Sequence, residues 1–317
     1  MGYIEYADKG FEQAVRNALN KLDGELTSED LLKIKGVLIT DKYQTGFNVP
    51  WQSDAVAFNM KFPDIFFNIG DSENGKWITD LKYFSHIKTL HIYVRTETLS
   101  FLNTFISLNE LYVKNSNELD WGFLESLTNL RFLSVWHSKF RNLMPLAVLG
   151  KKQSETFESE RKLVEKGNSV NLFNTNLLNY LYLVECGITN IQPLAECKYI
   201  SDLTLSHNEI SDIKPLSNLD GLYYLTLRWN KIEDITPLRS LKFLYYLNLR
   251  HNHIRDISML KKYTTNNLTH LYLGSVALHE PINKKVKFQI ARYPGKIHEK
   301  QPISLIIPVK TIKNPYN

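Results

Sequence analysis

Three stretches of the chain are near copies of one another: LSHNEISDIKPL at residues 205–216, LRWNKIEDITPL at 227–238 and LRHNHIRDISML at 249–260. Each copy follows the previous one by 22 residues. The first leucine, the asparagine, the aspartate and the isoleucines keep their positions, whereas the two residues after the first leucine change from Ser-His to Arg-Trp and then to Arg-His. The fixed positions are therefore expected to build a scaffold, and the variable positions are available for function.

The fixed pattern extends well beyond these three stretches. The frame L-x-x-L-x-L-x-x-N-x-I-x-D-I-x-P-L-x-x-L begins at Leu178, Ile200, Leu222 and Leu244, with a looser copy at Leu268. A period of about 20 to 29 residues with this leucine pattern is typical of leucine-rich repeats, in which each repeat is a short strand and a return segment. The sequence predicts an α/β fold, a leucine-rich repeat solenoid that forms a curved horseshoe with a parallel β-sheet on its concave face.

The asparagines and prolines of the frame have structural explanations. Asn208, Asn230 and Asn252 fall where each coil leaves its strand, so their amides are expected to be buried, to pair with backbone groups and to form a ladder. Prolines at the start of the return segments suit a backbone with a fixed φ and no need for an N–H; they are Pro193, Pro215 and Pro237.

The frame ending in D-I-x-P-L-x-x-L resembles the SDS22-like class of leucine-rich repeats found in bacterial internalins. The stretch FEQAVRNALNKLDGELTSEDLLKIKGVLI at residues 11–39 adds to the resemblance. It places Phe11, Val15 and Leu19 on one helix face, and Thr27 with Asp30 is similar to a capping box that opens a second helix. Because internalin-type proteins carry a similar cap, the resemblance implies a helical N-terminal cap at residues 1–40.

The resemblance further implies a solenoid at residues 41–280, but two stretches inside it, 41–77 and 150–176, do not fit the frame. The second is charged, and we expect it to protrude as an insertion or a degenerate repeat. Residues 281–317 contain eight basic side chains and one acidic one, a net charge of +7, so the rest of the chain carries −2 of the total of +5. We predict a basic C-terminal cap there, because VKFQIA and PISLIIPV have strand character; a basic patch for nucleic acid or membrane is the alternative.

The composition, 43% hydrophobic and 22% charged, is that of a globular protein. No run approaches the roughly 18 to 20 apolar residues of a membrane span. The N-terminal stretch MGYIEYADKG lacks the basic start and apolar core of a signal peptide. We expect a cytoplasmic protein from the chain as it stands, and a secreted or cell-surface protein if a leader has been removed.

The variable strand positions are expected to face the concave surface and to be independent of the core. They are rich in Tyr, Trp, His and Arg, the composition of interface hot spots. The predicted partner-binding residues are Tyr93, Tyr112, Trp136, Tyr180, Tyr182, Tyr224, Arg228, Trp229, Tyr246, Arg250, His251 and Tyr272. Aromatic side chains can also stack across strands for stability alone. That alternative does not account for Arg228 and Arg250, like charges in adjacent coils that need an anion such as Asp202 or a carboxylate of a partner.

These patterns predict a non-enzymatic protein-binding module that recognises another protein, one with an acidic surface, through this face. Binding of a carbohydrate or cell-wall glycan is the alternative, because rows of aromatic side chains can stack on sugar rings. No nucleotide-binding, hydrolase or metalloprotease motif is present in the sequence. The rings of His251 and His253 are expected to diverge, and Cys186 and Cys197 occupy core positions of the frame. No catalytic residue, cofactor, metal, nucleic acid or membrane span is therefore predicted.

Overall fold

The computed structural model describes residues 4–40, 64–68, 76–166, 176–260, 268 and 270–273, together with two short strands at 289–290 and 305–306. The chain divides into two compact units, Met1–Ser134 and Val135–Asn317. In each unit, parallel strands alternate with short return segments, as the repeat frame predicts.

Short helices open the first unit. The α-helices of this unit are α1 (Lys9–Leu19), α2 (Ser28–Leu31) and α3 (Trp77–Asp80). Asp8 caps α1 by accepting a hydrogen bond from the backbone N–H of Phe11, and Phe11 and Val15 are fully buried. Thr27 and Asp30 form the predicted capping box of α2, which satisfies backbone donors that a helix start leaves unpaired.

The strands of the first unit are parallel. They are β1 (Gly36–Thr40), β2 (Ile65–Asn68), β3 (Thr89–Tyr93) and β4 (Glu110–Lys114), and β5 (Phe132–Trp136) crosses the boundary between the units. β1 pairs with β2 on one side and with β3 on the other, so these strands are out of chain order in the sheet.

One sequence expectation needs correction in the first unit. Residues 36–40 form a strand rather than part of a helical cap, because all five are buried, as in a strand covered on both faces. Residues 65–68 also form a strand, although they belong to the stretch that fits no frame. Residues 41–63 and 69–75 of that stretch lie outside the described residues.

The second unit contains the most regular repeats. Its strands after β5 are β6 (Tyr180–Val184), β7 (Asp202–Thr204), β8 (Tyr224–Thr226), β9 (Tyr246–Asn248) and β10 (His270–Tyr272). They pair in parallel and in chain order, with one leucine of each strand in register. These leucines are at most 2% exposed and form a continuous core column: Leu181, Leu203, Leu225, Leu247 and Leu271.

Return segments of 3-10 helix bring the chain back to each next strand. They are Leu81–Phe84, Ser100–Thr104 and Gly122–Ser126 in the first unit, and Gln192–Glu196, Lys214–Asn218 and Thr236–Ser240 in the second. The three frame prolines lie at the first turn of the latter three helices, as predicted. Asp212 and Asp234 accept hydrogen bonds from the backbone N–H two residues later, at 2.9 and 2.8 Å, and so start each turn.

The asparagine ladder is confirmed. Nδ2 of Asn208, Asn230 and Asn252 donates to the leucine carbonyl three residues earlier, at 2.9 to 3.0 Å, and to a leucine carbonyl of the previous coil, at 2.8 to 2.9 Å. Each Oδ1 accepts from a backbone N–H of the previous coil at 3.0 to 3.1 Å. The amides therefore join successive coils through groups that would otherwise lack partners.

The charged stretch 150–176 is only partly an excursion. Helix α4 (Met144–Glu165) starts before it, and the buried residues of α4 all lie in its first half, among them Leu146, Leu149 and Gln153. Gly150 packs so closely against the next return segment that an added Cβ would lie 2.8 Å from the carbonyl oxygen of Glu196. The first turns of α4 thus belong to the core, and most residues after Ser154 are exposed. Residues 167–175 lie outside the described part.

Two strands are described in the predicted C-terminal cap. β11 (Gln289–Ile290) pairs antiparallel with β12 (Leu305–Ile306), and both lie in the two runs for which the sequence predicts strand character. The other residues of 281–317 lie outside the described part, so the capping role stays a prediction.

Candidate functional site

Two of the predicted site residues, Tyr93 and Tyr112, lie in the first unit. Tyr112 is 4% exposed because its ring stacks between His91, at a centroid distance of 4.1 Å, and Phe132, at 4.7 Å. The hydroxyl of Tyr93 hydrogen-bonds with Nδ1 of His91 at 3.1 Å. Burial lowers the pKa of His91 to about 4, so this imidazole is a neutral core group at physiological pH.

The other ten predicted residues lie in the second unit, where rings of the strand tyrosines contact one another at tilted angles. Tyr224 and Tyr246 are in register on β8 and β9, with ring centroids 5.6 Å apart, and Tyr272 lies 5.3 Å from Tyr246. Tyr246 is 8% exposed and Tyr182 is 5% exposed, whereas Trp136, Tyr180, Tyr224 and Tyr272 are half-buried. The expectation that these positions are independent of packing is therefore wrong for Tyr112, Tyr182 and Tyr246, which are all buried. Contacts with rings on neighbouring strands cover Tyr112 and Tyr246.

The residue before the asparagine position turns out of the strand in every regular repeat. His207, Trp229 and His251 have φ values of 57°, 58° and 56°, in the left-handed region, and Glu185 and His137 share this conformation at 54° and 49°. The sequence pattern had suggested that they continue the strand. A left-handed conformation costs a residue with a side chain about 1 to 2 kcal/mol, and here it recurs because each coil must bend at this point.

The largest exposed side chain of this row is that of Trp229. This residue is 48% exposed, although both faces of its indole ring have neighbours. The ring of His251 stacks on it at 3.8 Å and 11°, and His207 lies on the preceding coil at 5.6 Å and 23°. Burial lowers the pKa of His207, and the charge of Arg228 lowers it further; burial, Arg250 and Arg228 lower the pKa of His251.

Arg228 and Arg250 lie side by side next to this stack. The ladder bonds from Leu227 N–H to the carbonyl of Asn248, at 2.8 Å, and from Trp229 N–H to the carbonyl of Arg250, at 2.9 Å, place the two arginines opposite each other. The guanidinium carbon of Arg250 lies 4.7 Å from the centre of the Tyr272 ring. We define His207, Arg228, Trp229, Arg250 and His251 as the Trp229 cluster.

Asp202 does not neutralise the arginine column. It lies on β7, in the register position of Tyr224, and accepts a hydrogen bond from Ser201 at 2.9 Å. Burial raises the pKa of Asp202 to about 6, and of the protein groups only Ser201 opposes this shift. Arg250 makes no ion pair within the described part of the chain.

A second aromatic group lies at the opposite end of the strands and was missed from the sequence. Tyr223 and Tyr245 precede β8 and β9, and their rings stack at 4.8 Å and 5°. Tyr223 is 39% exposed, and the nearby Phe243 is 54% exposed. The sequence did contain a signal for this group, because Tyr223 and Tyr245 occupy the same frame position in two consecutive repeats.

Both cysteines of the chain are buried. Burial raises the pKa of Cys186 and Cys197 to about 12, so both thiols are inert at neutral pH. The imidazole of His251 stacks on Trp229, while His253 is exposed. Among the residues that the structure describes, no cluster of three or more His, Cys, Asp and Glu side chains could hold a metal ion, and no helix is long and apolar enough to cross a membrane.

Parallel strands at a 22-residue spacing, 3-10 return segments and an asparagine ladder define a leucine-rich repeat protein. Among solved structures, the chain is similar to an internalin (inlF) from Listeria monocytogenes, with a TM-score of 0.58 and 23% identity, covering 87% of this chain and 72% of that one. It is also similar to a leucine-rich repeat protein of Leptospira interrogans, with a TM-score of 0.50 and 18% identity, covering 64% of this chain and 47% of that one. No protein-family model and no curated protein matches. The fold is thus the internalin-type leucine-rich repeat fold, as the repeat frame predicts.

Proposed function

We propose that this chain is a non-enzymatic module that binds a partner protein through the Trp229 cluster. The observation that carries the proposal is the indole of Trp229, which is 48% exposed but held between two imidazoles. Tryptophan and arginine are the residues most enriched at interface hot spots, and here one tryptophan lies beside two arginines.

Preorganisation of the cluster supports the same conclusion. The backbone of Trp229 is fixed in the left-handed region, and the neighbouring rings restrict its side-chain rotamers. A side chain that is already ordered loses little conformational entropy when a partner binds, so more of its contact energy appears as affinity. The same turn geometry recurs in three coils and places His207, Trp229 and His251 at equivalent points.

The charge of the cluster favours a partner with an acidic surface. Arg228 and Arg250 face each other across adjacent coils, and Arg250 has no acidic partner among the described residues. Opposite charges across an interface increase the association rate and exclude partners of like charge. An acidic patch on the partner would also offset the repulsion between the two guanidinium groups.

Glycan binding is the less favoured function. It would require sugar rings to stack on the faces of aromatic side chains, and several of these faces already have neighbours. The faces of Trp229 are next to His207 and His251, and Tyr223 and Tyr245 stack on each other. Both faces of the Trp229 ring therefore have neighbours, and each of the two tyrosine rings covers one face of the other.

A comparative pull-down tests the proposal. The full-length wild-type chain and the Trp229→Ala variant serve as baits, and captured proteins are quantified by mass spectrometry. The matched control is Phe243→Ala, which removes an equally exposed aromatic side chain at the other end of the strands. We expect a partner that Trp229→Ala loses and Phe243→Ala retains. Equal capture of proteins by all three baits would contradict the proposal. Binding of the wild-type chain to specific sugars on a glycan array would also contradict it, if Trp229→Ala abolishes that binding.

A further inference from the structure

Two buried N–H donors lie beside the arginine column without an acceptor. Within the described part of the chain, neither Nε of Arg250 nor Nδ2 of Asn248 has a hydrogen-bond partner, and neither atom has accessible surface. The hydroxyl of Ser206, on the coil before that of Arg228, is also buried and has no hydrogen-bond partner among the described residues. Nearly all buried polar groups in folded proteins are paired, so a cluster of unpaired donors on one face requires an explanation.

The orientation of Asn248 is determined by its other bond. Its Oδ1 accepts a hydrogen bond from the backbone N–H of Arg250 at 3.2 Å, so the amide presents its donor end to the remaining surroundings. Asn248 is 0% exposed and lies on β9 opposite Thr226, one strand position before the arginine column. The guanidinium of Arg250 lies against the ring of Tyr272 rather than against an oxygen.

These groups share one chemical preference. Arg250 is a cation with only donors, Asn248 offers its donor end, and Arg228 adds a second cation on the adjacent coil. A ligand for this place must therefore bring negative charge and more than one acceptor oxygen. Carboxylates meet both conditions, and they pair with the guanidinium fork through two parallel N–H bonds.

We propose that a carboxylate of the partner protein binds between Arg228 and Arg250 and accepts hydrogen bonds from Arg250 and Asn248, an assignment that rests on the protein-binding function proposed above. Because the two donor atoms have no accessible surface in the unbound protein, Arg250 turns away from Tyr272 when the carboxylate enters. The cation–π contact is exchanged for a charge-assisted pair, which is the stronger interaction.

Short peptides test this assignment without knowledge of the partner. The probes are an acetylated and amidated tetra-aspartate, which carries only side-chain carboxylates, and an acetylated tetraserine with a free C-terminus, which carries only a terminal one. An acetylated and amidated tetraserine is the neutral control. We expect the Nε–H resonance of Arg250 in the full-length chain to shift with at least one of the two acidic probes and not with the neutral one. The probe that acts identifies the source of the carboxylate.

Three variants make the test specific. Arg250→Gln should weaken binding of the active peptide about tenfold or more, whereas Arg255→Gln, an exposed arginine on the return side of the same repeat, should leave it unchanged. Asn248→Asp places a carboxylate next to both arginines, so it should raise the melting temperature and abolish the response to the peptide.

Three outcomes would overturn the carboxylate site: an equal response to the neutral peptide, tighter binding of a phosphoserine peptide of the same length, or an affinity that Arg250→Gln leaves unchanged. Failure of this site is separable from failure of the proposed function. If Trp229→Ala loses the captured partner while Arg250→Gln retains it and no peptide acts, the cluster binds a protein without this carboxylate. If the peptides act but Trp229→Ala captures the same proteins as wild type, the carboxylate site stands and the proposed use of Trp229 fails.

Discussion

Replacing Asn230 by alanine removes one step of the ladder that joins the coils. Its Nδ2 donates to the carbonyls of Leu205 and Leu227, each at 2.9 Å, and its Oδ1 accepts from the N–H of Ile210 at 3.0 Å. The two carbonyls keep a bond from a neighbouring ladder amide, but the N–H of Ile210 loses its partner inside the core. One buried unpaired donor costs roughly 1 to 3 kcal/mol, so we expect the free energy of unfolding to fall by about 2 kcal/mol.

The neighbouring steps provide a graded comparison. The Oδ1 of Asn208 accepts from two backbone N–H groups, so Asn208→Ala should cost about twice as much as Asn230→Ala. Asn252 is only half-buried, so water can replace its amide and Asn252→Ala should cost the least of the three. Asn218→Ala, at an exposed position of a return segment, is the matched control and should stay within about 0.5 kcal/mol of wild type.

Urea unfolding followed by circular dichroism measures the series, provided that all variants share one m-value. Losses in the order Asn208, Asn230, Asn252 support the ladder account. The account is refuted if all three variants lose no more unfolding free energy than Asn218→Ala, because the amides would then not stabilise the fold.

Three further substitutions test other parts of the account. Burial lowers the pKa of His91 from 6.5 to about 4, so its stabilising neutral form is lost as the pH falls from about 7 to 4. Wild type should lose about 3 kcal/mol more than His91→Phe over this range in paired urea titrations, and equal pH slopes would contradict the assignment. Gly150→Ala places a Cβ 2.8 Å from a backbone oxygen of Glu196 and should cost about 1 to 3 kcal/mol. Gly221→Ala is the control and should be neutral, because its Cβ meets only the carbonyl oxygen of Ile200 at 4.0 Å. Equal melting temperatures of the two variants would argue against close packing of α4. At Glu185, where φ is 54°, Glu185→Gly should stabilise the chain by up to about 1 kcal/mol, and Glu185→Val should destabilise it. Thermal unfolding measures both, and a melting temperature of Glu185→Gly below that of Glu185→Val would contradict the strain at this residue.

The repeats could be predicted from sequence because one period specifies both the core and its polar joints. Leucines at fixed spacing must stack, and Asn208 or Asn230 at the end of each strand must then pair with the backbone of the previous coil. The same logic does not reach β1 and β2, where the frame is absent and the strands pair out of chain order. It also does not identify the first half of α4, which fills a return position with a different element.

The candidate site was only partly predictable. Spacing placed Arg228 and Arg250 in one column, and the structure agrees. Spacing does not reveal how side chains pack sideways, so the burial of Tyr246 between its neighbours was missed. The left-handed φ values were also missed, because that conformation is typical of glycine and not of tryptophan, histidine or glutamate. These residues adopt it because each coil bends where it leaves the strand, as at Glu185.

The central claim is that fixed positions build the frame and variable positions bind the partner. It is tested most directly by isothermal titration of the captured partner with the full-length Trp229→Ala, Arg250→Ala double variant, compared with Phe243→Ala, Arg255→Ala. The account predicts that the first pair weakens binding by about 2 kcal/mol or more, the threshold of a hot spot, that the second pair binds like wild type, and that both stay folded to within a few degrees of the wild-type melting temperature. Wild-type affinity in the Trp229→Ala, Arg250→Ala variant would contradict the claim and place the binding surface elsewhere on the chain.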